Sequence, residues 1–137
     1  AESAYKWTNG RAIFASGSPF DPIQINDRTL IPSQGNNVYI FPGVGLGALV
    51  SKAKVITDSL FLTAAKELSE LTSSKDLISG RLYPPLNQIR DVSRAIAVAV
   101  AKKAAEDGLS ETSLPSNLDN YISEIMYDPI YNDYTSI

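Results

Sequence analysis

Residues 11–48 read RAIFASGSPFDPIQINDRTLIPSQGNNVYIFPGVGLGA, and whether their last third is strand or helix decides the fold. One reading takes Val38-Tyr39-Ile40-Phe41 as a buried strand. Gly43-Val44-Gly45-Leu46-Gly47-Ala48 then satisfies the G-x-G-x-x-G/A pattern of a dinucleotide-binding turn, with a helix after it. Against it, Pro42 intervenes before the first glycine. The acidic residue expected about 20 positions further on is also missing, because Asp58 falls too early. The other reading starts a helix at Asn36-Asn37. Asn is a preferred N-cap, and a helix start leaves N–H groups and partial positive charge that attract carboxylate or phosphate. Three glycines would then lie in a helix interior at a cost of roughly 1 kcal/mol each, which requires close approach of a neighbouring helix or a cofactor.

Upstream, Arg11 to Ala15 is a short apolar run that reads as a strand ending in Ser16-Gly17-Ser18-Pro19, the kind of strand end where open α/β sheets place ligands. Pro19, Pro22 and Pro32 mark an irregular connection, with a short extended piece at Ile23 to Ile25 and a two-residue turn at Asn26-Asp27. Residues 2–9 form a short helix closed by Gly10, with Ala4 and Trp7 on one side and Trp7 read as a packing residue.

Downstream, Thr57 or Asp58 caps a helix to about Thr72, its apolar face formed by Leu60, Phe61, Ala64, Ala65, Leu68 and Leu71. A helical turn at Lys75 to Ile78 precedes the extended connector Arg81-Leu82-Tyr83-Pro84-Pro85. Pro85 suits the first turn of a helix from about 86 to 107, ended by Gly108, whose apolar stripe runs Ile89, Val92, Ile96, Val100. Alanines on its other sides make it a central helix, covered on more than one face. A last helix covers Asn117 to about Met126, with Leu118, Tyr121, Ile122 and Ile125 at apolar spacing, before a Tyr-rich tail.

Bulk properties narrow the chemistry. The 137 residues suit one domain, and 44% hydrophobic content supplies a core. A net charge of −3 with no Lys/Arg stripe argues against a nucleic-acid partner. With no Cys and no His, disulfides, thiolate metal sites, thiol nucleophiles and imidazole bases are excluded within this chain. The apolar run 38–50 is shorter than the roughly 20 residues of a membrane span.

Three blocks carry a resemblance: GRAIFASGSPF at 10–20, QGNNVYIFPG at 34–43 and GRLYPPL at 80–86. In identity, order and separation they closely resemble the C-terminal part of malic enzymes, over essentially residues 4–108. Those enzymes oxidatively decarboxylate malate to pyruvate and CO₂ with NAD or NADP and a divalent metal, Mg²⁺ or Mn²⁺. The resemblance implies an α/β fold class. Residues 1–35 would form the end of a Rossmann-like NAD(P)-binding domain, residues 36–108 a mainly helical layer, and residues 109–137 an extension that could contact another subunit. It favours the helix beginning at the Asn pair.

The resemblance further implies that Asn36 donates its side-chain amide to the substrate, with Asn37 beside it, and that Ser16 and Gly17 approach the nicotinamide side of the cofactor. The family's Tyr/Lys acid–base pair, its metal-binding carboxylates and its main dinucleotide glycine motif lie upstream of the matched blocks. No catalytic or metal-ligating residue is therefore assigned here, and the chain, opening on Ala1-Glu2-Ser3, is expected to be a segment of a longer polypeptide, inactive by itself. A homo-oligomer, typically a tetramer, follows from the same resemblance, while mitochondrial matrix and cytoplasm both stay open. Two alternatives stand beside it: a self-contained dinucleotide module using Gly43 to Ala48, and a helical assembly domain without catalysis.

Overall fold

A computed structural model describes residues 1–130. Helix α1 (Glu2–Trp7) leads through Gly10, at φ +73, into an extended segment. Its buried residue is Tyr5, whose ring meets Phe14 edge-on, as Phe14 in turn meets Phe20. Trp7 does not pack: it is 86% exposed, because a six-residue helix has one inward face and Tyr5 occupies it.

Strands are few and short. Of the expected strand 11–15 only Ala15 enters a ladder, as β1 (Ala15–Ser16), which pairs in parallel with β4 (Ser33–Gln34). Between them β2 (Ile23–Ile25) and β3 (Arg28–Leu30) make an antiparallel hairpin around the anticipated Asn26-Asp27 turn. Asn26 adopts φ +54 there, a left-handed conformation that Asn tolerates.

The decisive stretch is helical. A 3₁₀ turn at Asn37–Tyr39 leads into α2 (Phe41–Ser51), with Pro42 in the first turn, where a missing N–H costs nothing. Gly43 to Ala48 therefore lie inside a helix, and neither the preceding strand nor the glycine turn of a dinucleotide fingerprint exists. Two of the three glycines have a packing reason. A Cβ on Gly43 would sit 2.6 Å from Ile96 Cβ, and one on Gly47 would sit 2.7 Å from the Ala97 carbonyl oxygen. A Cβ on Gly45 would meet nothing within 4 Å.

The partner in that close approach is α5 (Ile89–Glu106), entered through a separate 3₁₀ turn at Leu86–Gln88 rather than directly from Pro85. Because Gly43 faces Ser93 and Ile96 while Gly47 faces Ala97 and Val100, α2 and α5 run parallel. Helix α3 (Asp58–Glu70) covers a second face of α5, and α6 (Leu118–Ile125) a third. Val92, Ile96 and Val100 join Leu60, Ala64 and Leu68 in one core cluster, and Ala97 and Ala101 join Leu118 and Ile122 in another.

Several expected core residues face out. Phe61 and Ala65 on α3 and Tyr121 and Ile125 on α6 are exposed, because each helix meets α5 along a single narrow stripe. Thr57 holds the N-cap position of α3 but makes no capping bond, and its Oγ1 is buried without a partner among the described residues. The first-turn carboxylate of Asp58 complements the helix end instead. Helix α4 (Ser74–Ile78) fills the expected turn, capped by Ser73. Most of the Tyr-rich tail, residues 131–137, lies outside the described residues.

Candidate functional site

Strand β4 ends at Gln34, and the backbone then turns directly into the Asn pair. Asn36 is the N-cap: its Oδ1 accepts from the Val38 amide at 3.0 Å. Spending the carbonyl oxygen in this way leaves the Nδ2 group of Asn36 to donate outward. Both Asn36 and Asn37 are exposed. The amides line a cleft of about 320 Å³ together with Gly35, Tyr39, Phe41 and Tyr83.

The strand end carrying Ser16 and Gly17 adjoins this tip. Parallel pairing sets Ser16 opposite Gln34, the Gly35 amide donates to the Ser16 carbonyl at 2.8 Å, and the Gln34 side chain donates to the Gly17 carbonyl at 3.2 Å. Two segments separated by about 20 residues in sequence thus meet through the parallel ladder and one side-chain hydrogen bond. Gly17 is exposed, and a Cβ there would meet nothing within 4 Å, so its backbone face is open to a flat ring. Ser16 Oγ accepts weakly from Ser18 N at 3.4 Å.

The residues that hold the tip were not singled out by sequence reasoning. Tyr39 is only 5% exposed, and its hydroxyl donates to the Pro84 carbonyl at 2.7 Å. Its ring lies 5.1 Å from that of Tyr83, centroid to centroid. Burial raises the Tyr39 phenol above its ordinary pKa, with Arg81 nearby opposing part of that shift, so the hydroxyl remains a donor at neutral pH. A larger cavity, about 420 Å³, shares these two rings and is lined also by Phe20, Gln34, Arg81 and Asn87. The available signal was that both tyrosines fall within the quoted blocks, one in QGNNVYIFPG and the other in GRLYPPL.

A family described as "Malic enzyme, NAD binding domain" matches residues 1–105. The chain belongs to the malic enzyme family. It is similar to the NADP-dependent malic enzyme of Rattus norvegicus, 51% identical over 134 residues, covering 96% of this chain and 23% of that protein. The NADP-dependent malic enzyme of Dictyostelium discoideum is 46% identical over 132 residues, covering 96% of this chain and 24% of the relative. Among solved structures, a malic enzyme from Pyrococcus horikoshii Ot3 superposes with a TM-score of 0.61 at 28% identity, covering 85% of this chain and 24% of that one. The chain thus spans about a quarter of the length of the malic enzymes it matches.

Chemical fit to the groups that malic enzymes use differs between metal and cofactor. Among the described residues no cluster of three or more Asp, Glu, His or Cys side chains could hold a metal ion, so these residues do not fit a divalent metal site and no step is assigned to one. At Gly17 the backbone is exposed and unobstructed, so nothing there bars a flat ring. Among the described residues no helix is long and apolar enough to cross a membrane.

Proposed function

We propose that this chain supplies part of the malate pocket of an NAD(P)-dependent malic enzyme, with Asn36 as its principal substrate contact. The reaction would be oxidative decarboxylation of (S)-malate to pyruvate and CO₂, assisted by Mg²⁺ or Mn²⁺ held outside these residues. The observation that carries the reading is the Gly35–Ser16 hydrogen bond, which holds the amide tip against the glycine-bearing strand end. The segments that carry the proposed substrate and cofactor contacts thereby share one edge of the molecule.

The roles are those the family resemblance implies, and the cap geometry supports them. Asn36, its Oδ1 already occupied, presents Nδ2 to a substrate carboxylate, and Asn37 stands beside it at the start of the turn. An amide grips a carboxylate without adding a charge that must be desolvated. Ser16 and Gly17 would lie along the nicotinamide side. The nicotinamide, when bound, accepts the hydride leaving C2 of malate. In this reading residues 1–35 complete the NAD(P)-binding domain, residues 36–108 form the helical layer behind the tip, and residues 109–137 extend outward. The parent enzyme would assemble as a homo-oligomer of tetramer order, and its sedimentation as a monomer would remove that part of the proposal.

Replacing the tip amide tests the central assignment. In the parent enzyme Asn36→Ala should lower kcat/KM for malate by an amount equivalent to about 1–3 kcal/mol, the usual cost of leaving a polar partner unpaired. Steady-state kinetics in malate decide it: unchanged KM and kcat would withdraw Asn36 from the site.

A further inference from the structure

We infer that Tyr39 is a positioning residue for the Asn36–Asn37 amides, acting by tying the turn that presents them to the Arg81–Pro85 connector. The inference rests on the reading of Asn36 as a substrate contact and says what aims it.

A three-residue 3₁₀ turn has little rigidity of its own, since its hydrogen bonds are poorly aligned and few. Here they are Tyr39 N to Asn36 O at 3.2 Å and Ile40 N to Asn37 O at 3.1 Å. On its upstream side the turn is fixed by β4. On its downstream side Ile40 departs from ideal helix geometry at φ −112 before α2 begins, so the turn is not a rigid extension of that helix. The Tyr39 side chain supplies the missing constraint. Its hydroxyl reaches across 45 positions of sequence to the Pro84 carbonyl in a buried bond. An extended Pro-Pro segment has no ladder or helix partner for that carbonyl, so the phenol also satisfies an acceptor that would otherwise be buried unpaired.

The connector is itself anchored to the strand that feeds the turn. The Leu82 amide donates to Ser33 Oγ at 2.7 Å, and Thr72 Oγ1 donates to the Leu82 carbonyl at 3.1 Å. Ser33 lies in β4, so the path closes on itself: Ser33, Gln34, the Asn pair, Tyr39, Pro84, Leu82 and back to Ser33. A closed ring fixes direction as well as position. Cutting it at the phenol opens the ring and leaves the turn held by β4, by the start of α2 and by apolar packing, without the bond that fixes its direction.

The test uses the parent enzyme carrying Tyr39→Phe, which keeps the ring and removes only the donor. KM for malate should rise about three- to tenfold, the equivalent of one lost hydrogen bond, with KM for the nicotinamide cofactor unchanged. In an Asn36→Ala background the same substitution should change malate KM by less than twofold, because a residue that works through Asn36 has nothing left to aim. Ser33→Ala, which opens the ring at its Leu82 link, should move malate KM in the same direction by about twofold and serves if Tyr39→Phe folds poorly. If Asn36→Ala impairs malate use while Tyr39→Phe is silent, or the two effects simply multiply, Tyr39 loses its role and Asn36 keeps its own. Silence of Ser33→Ala breaks the ring argument. If Asn36→Ala is itself silent, both assignments fall together.

Discussion

The helical layer and the strand-and-loop edge of this molecule are held together in different ways. In the layer, α5 is enclosed by α2, α3 and α6, Ile96, Val100 and Ala104 are fully buried, and two glycines bring backbones into contact. At the edge, strands of two or three residues pair in twos, Ile13 is 73% exposed, and order depends on individual hydrogen bonds such as Gly35 to Ser16. Packing is spread over many small dispersion contacts and tolerates little volume change, whereas a bonded edge depends on a few named atoms. The contacts proposed for malate stand where the two meet, on an edge segment braced by the layer.

The contrast is most severely strained by adding one methyl where the helices touch. Gly47→Ala would push a Cβ against the Ala97 carbonyl and Val100, and a backbone atom cannot swing aside as a side chain can. A loss of about 2–3 kcal/mol is expected from overpacking, only partly offset by better helix propensity. Urea denaturation of the 137-residue chain should show it, and unchanged stability would mean that α2 and α5 are not in the contact described. Two turns' worth of sequence is not needed to reverse the sign. Gly45→Ala, in the same helix but facing open space, should stabilise by about 0.5–1 kcal/mol in the same assay. A clear loss there would show that something covers the outer face of α2.

The edge offers the smallest effect. The Tyr5 hydroxyl is buried with no partner among the described residues, and burial raises its pKa. Tyr5→Phe should therefore be neutral or stabilising by up to about 1 kcal/mol, since it removes a desolvated group and no bond. A marked loss of stability would reveal an acceptor for that hydroxyl.

These contrasts also mark what the sequence could disclose. Local signals were legible: Gly108 after α5, Asn117 before α6, the Asn26-Asp27 hairpin, and the helix starting at the Asn pair once the family blocks were recognised. Each is written in neighbouring residues. What stayed hidden depended on distant partners. Nothing near Gly43, Gly45 and Gly47 says which two face α5. Nothing near Trp7, Phe61 or Ala65 says that the adjacent stripe takes the inward position. The Tyr39–Pro84 bond joins segments that only the folded chain brings together. At the site, the Asn pair was found through its block and its capping chemistry, whereas the tyrosines that hold it in place, though inside the same blocks, carried no local chemistry that tied them to it.

The parallel pair α2 and α5 is fastened at both ends. At the start the Tyr39 phenol crosses to Pro84. At the finish Ala53 bridges Ser110, whose Oγ donates to the Ser51 carbonyl at 2.7 Å, while the Lys54 amide donates to Leu109 at 3.1 Å. Two rods joined by rungs at top and bottom cannot slide past one another. The turn that carries Asn36 therefore springs from a helix pair whose register is held at its near end and at its far end alike.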